Sequence, residues 1–96
     1  MDLLVTYDIA TEDAEGQRRL NRVAKVCEGY GLRVQYSVFE CRLSATACQR
    51  LVIELLDVID RERDCVHLYR FPGDLTTARR TLGRSSSGGL GRPWVV

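Results

Sequence analysis

Leu32-Arg33-Val34-Gln35-Tyr36-Ser37-Val38-Phe39-Glu40-Cys41-Arg42-Leu43 is rich in β-branched and aromatic residues and runs well past the roughly five or six residues of an ordinary strand. Its alternation changes parity midway. Val34, Tyr36 and Val38 share one face, whereas Phe39, Cys41 and Leu43 share the other, so a bend, bulge or tight reversal falls near Ser37-Val38. The stretch predicts two strands joined with almost no loop.

Upstream of this pair, Leu20, Val23, Ala24 and Cys27 recur at i, i+3, i+4, i+7 and define the buried face of a helix running to about Tyr30. Gly31, close behind Gly29, reads as its left-handed cap. The acids of Ala10-Thr11-Glu12-Asp13-Ala14-Glu15-Gly16 suit the start of that helix, where the macrodipole favours negative charge. Before them, Leu3-Leu4-Val5-Thr6-Tyr7-Asp8-Ile9 has no Gly or Pro and reads as a central strand buried on both faces.

Downstream, Ser44 is the N-cap of a second helix, about Ala45 to Ile59, with Cys48, Leu51, Val52, Leu55, Leu56 and Ile59 as its apolar stripe. A charged turn, Asp60-Arg61-Glu62-Arg63-Asp64, leads to a strand over Cys65-Val66-His67-Leu68-Tyr69-Arg70-Phe71, closed by Pro72-Gly73. Ala78 to Leu82 reads as a short strand or turn. Ser85-Ser86-Ser87-Gly88-Gly89 reads as a flexible linker before Trp94-Val95-Val96.

The order β-α-β-β-α-β predicts an α+β, ferredoxin-like split βαβ sandwich, a four-stranded antiparallel sheet with two helices on one face. Residues 1–82 form this domain, and 83–96 a Ser/Gly-rich linker with a C-terminal docking strand. That strand would add to the edge of its own sheet or of a partner's. The second sheet face needs a ligand, RNA or another copy to cover it, and in so small a domain pairing of two copies through the sheet is preferred.

Ninety-six residues, 45% hydrophobic and 28% charged, fit one small globular domain. No stretch approaches the roughly 20 apolar residues of a membrane span, and the N-terminus lacks a signal-peptide pattern, which predicts a cytoplasmic protein with no membrane partner. Cys27, Cys41, Cys48 and Cys65 are irregularly spaced with no C-x-x-C, and read as small core hydrophobes rather than zinc ligands. His67, the only histidine, reads as structural. The net charge of +1 is uneven: nine basic against twelve acidic residues leave −3 in 1–69, and five arginines against Asp74 leave +4 in 70–96.

Two features carry chemistry. Asp8, at the end of the first strand, must find backbone N–H groups, a basic side chain or a metal, because an unpaired buried carboxylate costs several kcal/mol. Hydrogen bonds from the loop Ala10 to Gly16 and a functional role are both open. On the first helix Arg18, Arg22 and Lys25 recur at i, i+4, i+7 with Arg19 beside them, a basic ridge opposed only by Glu28 and suited to a phosphate backbone.

Tyr7-Asp8-Ile9, Arg18-Arg19-Leu20 leading through Val23-Ala24-Lys25 to Tyr30-Gly31, and Arg33-Val34-Gln35-Tyr36-Ser37-Val38-Phe39-Glu40-Cys41 together resemble the CRISPR-associated protein 2 family over about residues 1–71. The resemblance implies a ferredoxin-like protomer, a symmetric homodimer packed through sheet faces, and a divalent site for magnesium or manganese at Asp8. It implies a metal-dependent endonuclease acting on RNA or double-stranded DNA in spacer acquisition, or alternatively a non-catalytic scaffold that holds duplex DNA and bridges the CRISPR integrase. By the same match Tyr7 and Asp8 fall in the catalytic site, and Arg18, Arg19, Arg33 and Phe39 at positions tied to activity or nucleic-acid contact. The tail departs from the family, which has a clearer last strand crossing to the other protomer.

One carboxylate makes a weak magnesium site, since the ion seeks about six oxygens. A two-fold axis supplies a second Asp8, and Arg18, Arg19 or Arg33 would then stabilise negative charge added at phosphorus. No general base stands beside Asp8 in the sequence, and Glu40 has no evident place.

Overall fold

The computed structural model describes residues 1–84; the linker and docking strand expected further on lie, from Ser85, outside the described residues. The elements are β1 (Asp2–Asp8), α1 (Ala14–Glu28), β2 (Gly31–Gln35), β3 (Val38–Arg42), α2 (Ala45–Val58), β4 (Cys65–Phe71) and a single-turn α3 (Leu75–Ala78). The strands form one antiparallel sheet in the order β2-β3-β1-β4. This is the split βαβ arrangement that the pattern predicts, with β1 and β3 central.

The reversal between β2 and β3 takes only Tyr36 and Ser37. Arg33 pairs with Phe39 but Gln35 with Val38, so a bulge at Val34 absorbs the change of parity. Register then sets the core. Leu3 stands opposite Cys41 and Val5 opposite Phe39, and all four are completely buried. Val23, Ala24 and Cys27 of α1 and Leu51 and Leu55 of α2 close over them.

Several local expectations change. β1 is buried on one face only: Leu4 and Thr6 are half-buried, because both long helices lie on the side of Leu3, Val5 and Tyr7. The α2 stripe narrows to Leu51 and Leu55, leaving Leu56 41% exposed. Gly31 is no left-handed cap. α1 ends at Gly29 in right-handed conformation, and Gly31 already belongs to β2, where a Cβ would lie 2.4 Å from Cys41 Sγ and 2.5 Å from the Glu40 carbonyl oxygen. Close approach selects that glycine. Cys27 and Cys41 are core residues as expected, whereas Cys65 is exposed. Within Ala78 to Leu82 only Ala78 is in a regular element, the last residue of α3.

The segment after β4 folds back across the uncovered sheet face. Asp2 Oδ2 accepts the Leu75 N–H at 2.7 Å, and Arg42 links Asp2 at 2.8 Å to Asp74 at 2.9 Å. Arg79 donates to both Glu40 oxygens at 2.8 Å, which gives Glu40 its place, 3% exposed on this face. Between this segment and Leu4, Thr6, Val34 and Val38 lies a depression of about 530 Å³.

Candidate nucleic-acid and metal site

β1 delivers two neighbouring side chains to opposite faces. Tyr7 points under the helices and is 6% exposed. Its hydroxyl donates to the Tyr36 carbonyl at 3.2 Å and accepts from Arg33 Nη2 at 3.4 Å. Its ring stacks on Phe39 with centroids 6.2 Å apart, and the Arg33 guanidinium lies 5.1 Å over the Phe39 ring. Burial pushes the Tyr7 phenol up, and Arg33 only partly opposes it. Tyr7 and Phe39 therefore act as a platform that orients Arg33. Phe39, placed by resemblance among groups associated with activity or nucleic-acid contact, is fully buried, so it can bear on a polyanion only through Arg33.

Asp8 faces the other way and is exposed. Among the described residues its carboxylate meets no hydrogen-bond donor and no cation. The loop Ala10 to Gly16, one of the two roles open to Asp8, is held instead by Asp64, whose side chain is completely buried. Asp64 accepts from Ala10 N at 3.0 Å, Asp60 N at 2.8 Å and Arg19 Nε at 2.8 Å. Burial alone would raise the Asp64 carboxyl, but Arg19 and the two N–H groups outweigh it and hold it below the ordinary carboxylate range. The loop closes tightly onto α1, since a Cβ on Gly16 would fall 1.9 Å from the Ala10 carbonyl oxygen. Asp13 caps α1 through Gly16 N at 2.8 Å, and Arg63 ties down Glu12 and Asp13 at 3.1 and 3.3 Å.

This corrects the basic ridge. Arg19 turns inward to Asp64, leaving its side chain 13% exposed, and is a structural residue. Arg18 is 69% exposed, with Glu15 at 3.8 Å as a weak partner. Arg22 and Lys25 are exposed and line a shallow groove between α1 and α2 together with Arg50. Arg50 was missed because its helix reads as a plain amphipathic element.

Asp64 and the Glu40–Arg79 pair were missed for a different reason: their partners lie 45 and 39 residues away, where no local pattern points to them. Cys65 and His67 lie on the same sheet face as Asp8. Cys65 stands opposite Asp8, and His67 opposite Thr6, so all four side chains share the uncovered face. His67 is exposed. The missed signal was their i, i+2 spacing, which on a strand places two side chains together.

An exposed, unpaired carboxylate has the right chemistry for a hard divalent cation. No three His, Cys, Asp or Glu side chains among the described residues stand together as a metal-binding group, so the described residues offer a single carboxylate here.

The sequence profile of the family described as CRISPR associated protein Cas2 matches residues 1–77. The chain belongs to the Cas2 family. It is 49% identical over 69 residues to the CRISPR-associated endoribonuclease Cas2 of Nitratidesulfovibrio vulgaris, covering 72% of this chain and 68% of that protein. It is 40% identical over 95 residues to the CRISPR-associated endonuclease Cas2 of Halalkalibacterium halodurans, covering 99% of each. The crystal structure of Streptococcus pyogenes Cas2 superposes with a TM-score of 0.78 at 40% identity, covering 86% of this chain and all of that one. Within this Cas2-family chain, no described helix is long and apolar enough to cross a membrane.

Proposed function

We propose that this chain is a nuclease of CRISPR adaptation, hydrolysing phosphodiester bonds in RNA or double-stranded DNA with magnesium or manganese held at Asp8. The observation that carries the reading is the exposed Asp8 carboxylate, left without a partner among the described residues at the end of a central strand while Asp2, Glu40 and Asp64 are each matched. The names of the relatives, endoribonuclease and endonuclease, support the same chemistry. Two copies pair through the uncovered sheet face, around Leu4, Thr6 and Val38, and contribute one Asp8 each. A divalent ion held there would polarise a phosphodiester and make a bound water more acidic.

The chain's own residues bind and orient the substrate. Arg18, Arg22 and Lys25 hold the phosphate backbone without reading bases, and Arg33, fixed by Tyr7 and Phe39, offers a guanidinium to a phosphate oxygen. In spacer acquisition the pair works alongside the CRISPR integrase.

Asp8→Asn tests this on matched RNA and duplex DNA. Magnesium-dependent cleavage should fall to the level seen with chelator, with DNA binding and folding retained. Undiminished cleavage by the variant would overturn the reading. Spacer integration that proceeds unchanged with Asp8→Asn would assign the chain to the scaffold role instead.

A further inference from the structure

We infer that Tyr36 is a base-stacking residue: its ring takes up one unpaired nucleobase while the neighbouring phosphate lies on Arg33, so the strand presented to Asp8 is unpaired at that nucleotide. Tyr36 is 92% exposed, the most exposed large hydrophobic side chain among the described residues. Single exposed apolar side chains are common on protein surfaces, and exposure alone points to no ligand. Here the placement decides.

Tyr36 and Ser37 are the whole turn between β2 and β3, and both of its carbonyls are fastened to one residue of β1. The Tyr7 N–H donates to the Ser37 carbonyl at 3.1 Å, and the Tyr7 hydroxyl donates to the Tyr36 carbonyl at 3.2 Å. Tyr7 immediately precedes Asp8, so the turn is fixed at the Asp8 end of the sheet. The ring is therefore a large apolar plane on a rigid base, with only two side-chain torsions to order on contact. Arg33 Nη2 donates to the same Tyr7 hydroxyl at 3.4 Å, so a single oxygen bridges the guanidinium and the Tyr36 backbone. Glu28 stands 4.0 Å from Arg33, but its side chain is 57% exposed, and such a weak partner yields readily to a phosphate.

A nucleotide carries its charge and its aromatic plane on two sides of one sugar. A cation fixed beside an exposed ring matches that pair, the guanidinium taking the phosphate and the ring the base. Inside a continuous duplex both faces of a base are covered by its neighbours, so the ring stacks only on a base in a single strand, an overhang or a frayed end. Every base has such a face, so the contact selects unpaired structure and not sequence. The effect on which strand is cut rests on the proposed role of Asp8; stacking itself does not.

The experiment mixes the full-length chain, with chelator present so that nothing is cut, with a DNA duplex whose short single-stranded overhang carries the fluorescent base 2-aminopurine. A blunt duplex with the same base paired in its interior is the reference. The expected result is that the chain quenches the overhang probe and leaves the paired probe unchanged. Tyr36→Ala abolishes the quench and weakens overhang binding by about tenfold, Tyr36→Phe keeps both because the ring makes the stack, and blunt-duplex affinity stays constant throughout. Circular dichroism checks that each variant is folded. Overhang affinity unchanged by Tyr36→Ala, or an equal loss on overhang and blunt duplex, overturns the stack. So does a loss that accompanies weaker self-association in sedimentation and is restored at higher protein concentration, which assigns the turn to the pairing of copies. A wild-type chain that shows the Tyr36-dependent quench yet cleaves nothing with magnesium keeps the stack and removes only the nuclease reading.

Discussion

On the helix-covered side of the sheet Leu3, Val5, Phe39 and Cys41 are completely buried, whereas on the other side Leu4, Thr6 and Val38 stay half-buried around a depression of about 530 Å³. The same strands supply both sets, one residue apart. The covered side has almost no available chemistry: burial pushes the Cys27 thiol up to about 12 and the Cys41 thiol up to about 11, so neither is a nucleophile or ligand near neutral pH. The uncovered side holds Asp8, Cys65, His67 and the Glu40–Arg79 pair. Period-two alternation thus separates the packed core from the accessible titratable groups within single strands.

The sharpest way to break this contrast is Phe39→Ala. It empties the centre of the covered side and should cost about 3–5 kcal/mol, read as a lower denaturation midpoint. Loss of much less would mean that the helices, rather than the sheet, dominate the core. Next comes Leu4→Arg on the uncovered side, which should leave the denaturation midpoint nearly unchanged while weakening the proposed pairing of copies by roughly tenfold or more in sedimentation. An unchanged self-association constant would remove this face as the pairing surface.

The legibility of the molecule follows the same division. The parity change around Ser37 was enough to separate β2 from β3, and Leu20, Val23, Ala24 and Cys27 marked the inward side of α1, because local periodicity reports burial directly. Asp8 stood out since a charge ending an apolar strand is rare. Arg19 and Asp64 could not be read that way: each looks like one more charged surface residue until the fold brings them together at 2.8 Å. Gly31 was misread because a close contact with β3 and a helix cap call for the same residue type.

A smaller effect concerns acid. The Arg42 guanidinium and the Leu75 N–H hold the Asp2 carboxyl far below its ordinary value, the Gly16 N–H and Arg63 lower Asp13, and Asp64 is lowered as well. Groups depressed in the folded state contribute stability above the unfolded carboxylate value of about 3.9, and that contribution is lost as pH falls below it. Asp2→Asn should flatten the acid limb of a stability-against-pH curve and release α3 from the uncovered face. A limb as steep as wild type would assign the acid sensitivity elsewhere.

The mildest test is Arg18→Ala, which should leave the fold intact and lower the slope of log affinity for duplex DNA against log salt by about one. An unchanged slope would move the backbone contact off that part of α1.

The bulge at Val34 has one more consequence. Among the described residues β2 and β4 are the two rims of the sheet, and a rim with unpaired backbone groups invites further chains to add on. The β4 rim is a regular run of seven residues, while the β2 rim is kinked after three. An endless ribbon needs a straight donor and a straight acceptor at every junction, and the described residues offer one straight rim. The kink therefore works against runaway fibre growth from that rim.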